Sequence, residues 1–127
     1  MKDAVYCVET SKSFSDAVVS VLKAVDQKGW TVFQVYDIQE RLSAKGFNHN
    51  SLKIIEICSA KHANKMLLQN KLISLCMPCK INVFADNDKV FLALLDPLIV
   101  VELFENIKKE AVEEIGKELR EIVDSAR

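Results

Sequence analysis

The stretch from Lys53 to Pro97 constrains the fold more than any other part of this chain. It consists of an apolar strand ending in Cys58, a short helix, the sulfur-rich turn Leu75-Cys76-Met77-Pro78-Cys79 and a strand hairpin closed by Asp96-Pro97. Three of the four cysteines and one of the two histidines lie in this stretch. We therefore expect any chemistry of the chain to be located here.

Length and composition predict one domain, residues 1–127. A chain of 127 residues with half of them apolar can bury a usable core, and its few glycines and prolines argue against disorder. The net charge of -1, without clustered lysine and arginine, predicts no nucleic-acid partner. The longest apolar run, Val90 to Leu95, is far shorter than the ~20 residues of a membrane span, so no membrane partner is expected.

The cysteines are expected to be reduced. A strand-like run follows the N-terminal residues directly, without the long apolar segment of a secretory signal. This pattern predicts a cytoplasmic protein. Thiols stay mostly reduced in that compartment. The four cysteines are then buried apolar residues, redox thiols or metal ligands.

The periodicity of apolar residues predicts an α+β fold. Helix starts are indicated by Ser13, Asp37, Ser59 and Asp96-Pro97, which can accept hydrogen bonds from the first turn of a helix. Strand patterns cover residues 4–8, 30–38, 51–58, 81–85 and 90–94. The order β-α-β-α-β-α-β-β-α predicts a single small mixed sheet of about five strands, with helices mainly on one face. The third strand is apolar enough to be central and covered on both faces.

The C-terminal segment continues a helical pattern from Pro97 to Ala126. Unbroken, this helix would be about 44 Å long, which exceeds the size of such a domain. We therefore expect a break near Glu105-Asn106, followed by a helix over residues 106–126. That helix either covers one face of the sheet or pairs with the same helix of a second chain.

The motifs along the chain resemble those of the domain of unknown function 302 family, over about residues 5–122. The resemblance is carried by Glu9 to Phe14, Gly29-Trp30, Glu40 with Lys45-Gly46-Phe47, Lys53 to Cys58, Ala60, Ala63, Met77 to Ile81, and Asp96-Pro97. It implies a small α+β fold, a tendency to dimerise and no settled activity. It also implies a cysteine at the end of the third strand, here Cys58, and a Pro-Cys pair before the fourth, here Pro78-Cys79.

The chain departs from this family pattern at two places. A proline often follows the first cysteine, whereas this chain has Ser59-Ala60-Lys61. Cys76 occupies a position where an apolar residue is usual. A role that needs Cys76 is therefore not implied by the resemblance.

The pair Cys76-x-x-Cys79 is the sharpest local signal for chemistry. Its spacing suits a dithiol in which Cys79 is the nucleophile and Cys76 the resolving thiol, provided that the pKa of the attacking thiol is lowered. The motif precedes a strand, so no helix N-terminus is expected to lower that pKa. The alternative is that both residues are small buried side chains flanking a proline turn.

A metal site is a second interpretation of the same stretch. Cys58, His62, Cys76 and Cys79 together would make a tetrahedral zinc set. They can meet only if the third and fourth strands bring Cys58 and Cys79 to one end of the sheet. Glu56, placed between two isoleucines, would be a proton acceptor if its side chain faced the core.

The residues favour a ligand-binding or carrier domain, expected to be a homodimer, with Cys58, Cys79 and Glu56 near its site. This hypothesis predicts a mostly apolar pocket beside the two thiols. Thiol-dependent redox or sulfur transfer through Cys79 and Cys76 is the alternative, and zinc binding a further one. The sequence leaves open whether a reaction is catalysed and indicates no particular cofactor.

Overall fold

The computed structural model describes residues 4–127, and residues 1–3 of the predicted domain lie outside this range. The strands are β1 (Val5–Thr10), β2 (Thr31–Asp37), β3 (Leu52–Cys58), β4 (Cys79–Asp86) and β5 (Lys89–Leu95). The α-helices are α1 (Phe14–Gln27), α2 (Ile38–Ser43), α3 (Ala60–Gln69), α4 (Ile99–Leu103) and α5 (Lys109–Ala126). A 3-10 helix, Lys71–Cys76, lies between α3 and β4. The α+β class predicted from the sequence is confirmed.

The five strands form one sheet in the order β1-β5-β4-β3-β2, and every neighbouring pair is antiparallel. The prediction of a mixed sheet is therefore wrong. The reason is the connection between β3 and β4. A parallel pair would need this connection to cross the length of the sheet, so that β4 began at the end where β3 begins. Helix α3 and the 3-10 helix instead bring the chain back at the end where β3 stops.

The core lies between one face of the sheet and helices α1 and α5. Ile57, Ile81 and Leu92 are fully buried and point toward the helices, and the residues that alternate with them are half-buried or exposed. The prediction that β3 is central and covered on both faces is wrong. β4 is the central strand, and the apolar residues Leu52 and Ile54 of β3 lie half-buried on the open face.

Local signals explain where the helices begin and end. The Ser13 hydroxyl accepts a hydrogen bond from the backbone N–H of Asp16 at 3.1 Å, and Asp37 does the same for Glu40 at 3.0 Å. Gly29 follows α1 with a φ of +82°, a conformation that glycine adopts at low cost. The helix starts predicted at Ser13 and Asp37 are confirmed.

The break in the C-terminal helix is also confirmed. α4 ends at Leu103, Asn106 has a φ of +64°, and α5 begins at Lys109, three residues after the predicted start. The apolar stripe of α5 is buried within the chain, with Val112, Ile115, Leu119, Ile122 and Val123 in the core. A second copy meeting α5 would therefore find its polar face.

Asp96 joins the end of the sheet to α5. Its carboxylate accepts a hydrogen bond from the Arg120 guanidinium at 2.7 Å and another from the backbone N–H of Leu98 at 3.0 Å. A Cβ added to Gly116 would lie 3.1 Å from the Asp96 carboxylate. This close approach fixes where α5 crosses the sheet.

No helix of residues 4–127 is both long and apolar enough to span a bilayer.

Candidate functional site

Cys58 and Cys79 lie at the same end of the sheet, on neighbouring strands. Ile57 is directly opposite Cys79 in the β3–β4 register, so Cys58 is one residue removed from it. The antiparallel pairing brings together two thiols that are separated by an entire helix in the sequence. The arrangement on which the cysteine hypotheses depend is thus present.

A cavity of about 60 Å³ opens beside these two residues. It lies where α3, the 3-10 helix, α4 and α5 meet this end of the sheet. Cys58, Cys79, Trp30, His62, Met66 and Met77 are among the residues that line it. The lining is mostly apolar, which is what the ligand-binding hypothesis predicted.

The thiols beside the cavity are held in their neutral form. The pKa of Cys79 is raised from an ordinary 9.0 to about 11, mainly by burial and also by the proximity of Cys58, against a lowering effect of Lys80. Burial also raises the pKa of the Cys58 thiol. Both cysteines are free rather than disulfide-bonded. At neutral pH they are apolar contact groups and weak hydrogen-bond donors rather than nucleophiles.

Cys76 differs from Cys79 in its surroundings. It is exposed at the end of the 3-10 helix, from which the chain continues through a cis Met77–Pro78 peptide into β4. No helix begins at this motif, in agreement with the sequence-based expectation. The dithiol motif therefore consists of one exposed thiol and one desolvated thiol.

A second, larger groove adjoins the cavity on the outer side of the same turn. It has a volume of about 510 Å³ and is lined by exposed apolar residues, among them Val5, Leu75, Leu95 and Leu103. Five residues line both spaces: Cys76, Pro78, Cys79, Pro97 and Val100. The turn that carries the two cysteines is thus the wall between cavity and groove.

Asn82 supplies an unusual polar group in this groove. Its side-chain Oδ1 is fully buried and has no hydrogen-bond partner within residues 4–127. A buried acceptor without a donor costs roughly 1–3 kcal/mol, so such atoms are rare in folded proteins. If the Asn82 side chain turned toward the groove, a ligand that offers an N–H or O–H to this oxygen would remove that cost.

His62 is part of a buried polar network that sequence reasoning missed. His62 is only 5% exposed. Its Nε2 lies 2.6 Å from Oε2 of Glu118, and the Trp30 indole N–H donates to Oε1 of the same carboxylate at 3.0 Å. His62 lies on α3, Trp30 directly precedes β2, and Glu118 lies on α5. Trp30 and Glu118 are far apart in the sequence, so no local sequence pattern predicts their contact.

This network favours the ionised form of Glu118. Burial raises the pKa of Glu118, but the hydrogen bonds from Trp30 and His62 and the charge of Lys28 outweigh it and lower the pKa overall. The carboxylate is thereby fixed in position and charge next to the cavity wall.

The structure does not bring together the residues of the predicted zinc set. Within residues 4–127, one group of three or more potential metal ligands has its donor atoms within 4.8 Å of one another, and it consists of His62, Glu114 and Glu118. The predicted zinc set of Cys58, His62, Cys76 and Cys79 is not gathered, because His62 turns toward α5 and Cys76 toward solvent.

Glu56 likewise lies away from the cavity, on the open face of the sheet. There it accepts a hydrogen bond from the Tyr36 hydroxyl at 2.8 Å. The strand alternation that buries its neighbours Ile55 and Ile57 turns Glu56 outward.

The fold and the site define a small α+β domain, with an open antiparallel sheet and a cysteine-lined cavity at one end of it. The sequence pattern described as "Domain of unknown function DUF302" matches residues 6–126, and the chain belongs to this family. It is similar to an uncharacterised conserved DUF302 protein from Bacillus stearothermophilus of known crystal structure. The two chains are 25% identical, the match covers 98% of each, and the TM-score is 0.91. No curated protein is similar enough to this chain to count as a match.

Proposed function

We propose that this chain is a ligand-binding domain whose small, mostly apolar ligand occupies the groove and reaches the cavity beside Cys58 and Cys79. The observation that carries the proposal is that the two spaces share the Cys76–Cys79 turn as a wall. The groove of about 510 Å³ has the size typical of small-molecule sites, which are concave and mostly apolar with few polar groups.

The polar groups of the groove indicate the chemistry of the ligand. Asn82 Oδ1 needs a donor, and Lys80, at the exposed edge of the groove, suits an anionic group. The ligand that fits has an apolar body, a hydrogen-bond donor near its middle and an acidic or strongly polar end. The raised pKa of Cys79 keeps the wall near the apolar body uncharged.

The thiol-dependent alternative receives less support from the same geometry. A nucleophilic cysteine needs a lowered pKa, and burial raises that of Cys79 to about 11. Cys76 is exposed and can be modified, but its proposed partner would have to lose a proton in an apolar setting. We therefore favour binding over thiol chemistry.

We further propose that the chain forms the expected homodimer through the open face of the sheet. Phe84 and Phe91 stack on that face with ring centroids 5.3 Å apart, and Leu52, directly opposite Phe84, lies half-buried on the next strand. These residues lie toward the β4–β5 turn, whereas the groove is at the other end of the strands. A twofold pair would cover the same patch on both copies, which is the commonest way to form a dimer.

Binding can be tested with 8-anilinonaphthalene-1-sulfonate, a fluorescent probe with an apolar body and an anionic end. We expect saturable one-to-one binding by the full chain and a loss of affinity of about tenfold or more in Ala93→Trp, which fills the groove from β5. Phe33→Ser is the matched control, because Phe33 is 59% exposed on β2 and outside the groove. Absent binding, or equal binding by the Ala93→Trp protein, would refute the proposal.

A further inference from the structure

We propose that His62, Glu114 and Glu118 form a binding site for a divalent transition-metal ion between α3 and α5. The donor atoms of the three side chains all lie within 4.8 Å of one another. Bonds of about 2.0–2.2 Å from one ion to nitrogen and oxygen ligands place those ligands roughly 3.3–4.4 Å apart. The side chains need to move by little more than 1 Å to reach that geometry.

The two carboxylates are positioned by the helix that carries them. Glu114 and Glu118 are four residues apart on α5, so they lie on the same side of the helix one turn apart. Ile115 and Leu119, which alternate with them, are buried in the core and fix the rotation of α5. The carboxylates are therefore held on a rigid element, which a precise ligand set requires.

His62 completes the set from the opposite helix. It is the third residue of α3, and its imidazole is buried with Nε2 directed at Glu118. The backbone at the start of α3 is fixed by the Ser59 cap. A metal ion between Nε2 and Oε2 would replace the proton that the two atoms now share.

Trp30 orients the carboxylate from behind. Its indole N–H binds Oε1 of Glu118, which leaves Oε2 on the side of His62 and Glu114. Ligating carboxylates in metal sites typically have such an outer hydrogen bond, which fixes their direction. Trp30 and His62 also line the cavity, so an ion held here would lie against its wall.

The arrangement of Glu114 and Glu118 is itself unfavourable without a cation. Two carboxylates at this spacing repel each other by about 0.2–0.5 kcal/mol on a helix surface. Glu114 forms no salt bridge within residues 4–127, whereas Glu113 beside it pairs with Lys109 at 3.7 Å. A divalent ion would neutralise this repulsion.

The donor set favours Zn²⁺, Mn²⁺, Fe²⁺ or Co²⁺. One imidazole and two carboxylates are borderline and hard ligands, unlike the thiols on the other side of His62, which would select softer ions. Three protein ligands leave at least one coordination position for water or another small group.

The test uses the full-length, chelator-treated protein with ZnCl₂ in calorimetry and CoCl₂ in absorption spectroscopy. We expect one Zn²⁺ per chain, and affinity about tenfold or more weaker in Glu114→Gln, whose exposed side chain is dispensable for folding. Glu113→Gln is the matched control and should bind like the wild type. His62→Gln should lose binding, with circular dichroism used to verify its fold.

The cysteines provide the competing explanation for any zinc bound. A Cys58→Ser, Cys79→Ser double variant should keep the site, and bound Co²⁺ should show no thiolate charge-transfer band. Loss of binding in the double variant, unchanged affinity in Glu114→Gln, or no binding by the wild type would each overturn the proposal.

Discussion

The desolvation of Cys79 leads to a quantitative prediction for its reactivity. Its pKa of about 11 lies two units above the ordinary 9.0. At pH 7.5 its thiolate fraction, and with it the rate of alkylation, should be about 100-fold below that of an ordinary exposed cysteine, since each unit is a factor of ten. The limited access to a half-buried side chain should slow the reaction further.

The assay is iodoacetamide labelling of the native protein followed by mass spectrometry of tryptic peptides. Cys76 and Cys79 share the peptide of residues 72–80, so Cys79 is followed in the Cys76→Ser variant and Cys76 in the Cys79→Ser variant. In urea both should react at the same rate. Native Cys79 that reacts as fast as Cys76, or is modified rapidly below neutral pH, would refute the reasoning and revive the thiol-dependent hypothesis.

The same shift predicts an alkaline effect on stability. The pKa of Cys79 is higher in the folded state, so the folded state retains the proton longer than the unfolded chain. Stability is unaffected below about pH 8 and falls as pH rises from about 9 toward 11, by up to about 3 kcal/mol. Denaturant titrations at several pH values across this window should show that the free energy of unfolding falls more steeply with pH in the wild type than in Cys79→Ala. Parallel curves would contradict the shift.

Three further predictions concern α5, the hairpin and the dimer. Gly116→Ala should destabilise the fold by about 0.5–1 kcal/mol in urea denaturation, because crowding of the Asp96 carboxylate by the new Cβ outweighs the roughly 1 kcal/mol that alanine gains in a helix, whereas the exposed Lys117→Ala should be nearly neutral. Asp88→Gly should stabilise by about 0.5–1 kcal/mol, because Asp88 has a φ of +65° in the β4–β5 turn; a lower melting temperature would contradict this. Phe91→Glu should shift the mass measured by light scattering from dimer to monomer, and a monomeric wild type would rule out the proposed interface.

The sequence predicted the elements well where the signals are local. Caps at Ser13 and Asp37, the stop at Gly29 and the break near Asn106 depend on side chains within a few residues of the backbone they affect. The direction of β4 was not predictable in this way. It depends on the end of the sheet to which α3 and the 3-10 helix bring the chain, and the apolar pattern of a strand does not encode that position.

The site was predictable only in part. The binding hypothesis needed Cys58 and Cys79 near one another, which the sequence left dependent on the direction of β4, and the structure brings both to one end of the sheet beside a cavity. The face of Glu56 was left open, since a residue between two isoleucines faces the core or solvent depending on register, and the structure places Glu56 on the open face, away from the cavity. His62 was assigned to the wrong ligand set, because its partner Glu118 is on a helix more than fifty residues away.

The sequence by itself determined which segments are helical or extended, because capping, glycine conformation and apolar spacing act over a few residues. It also determined the α+β class, since the order of those segments admits few ways of covering one sheet. Only the tertiary structure decided the properties of individual groups: the neutral thiol of Cys79, the orphaned oxygen of Asn82 and the carboxylate of Glu118. Those properties arise from desolvation and from hydrogen bonds between distant segments, and both exist only once the chain has packed.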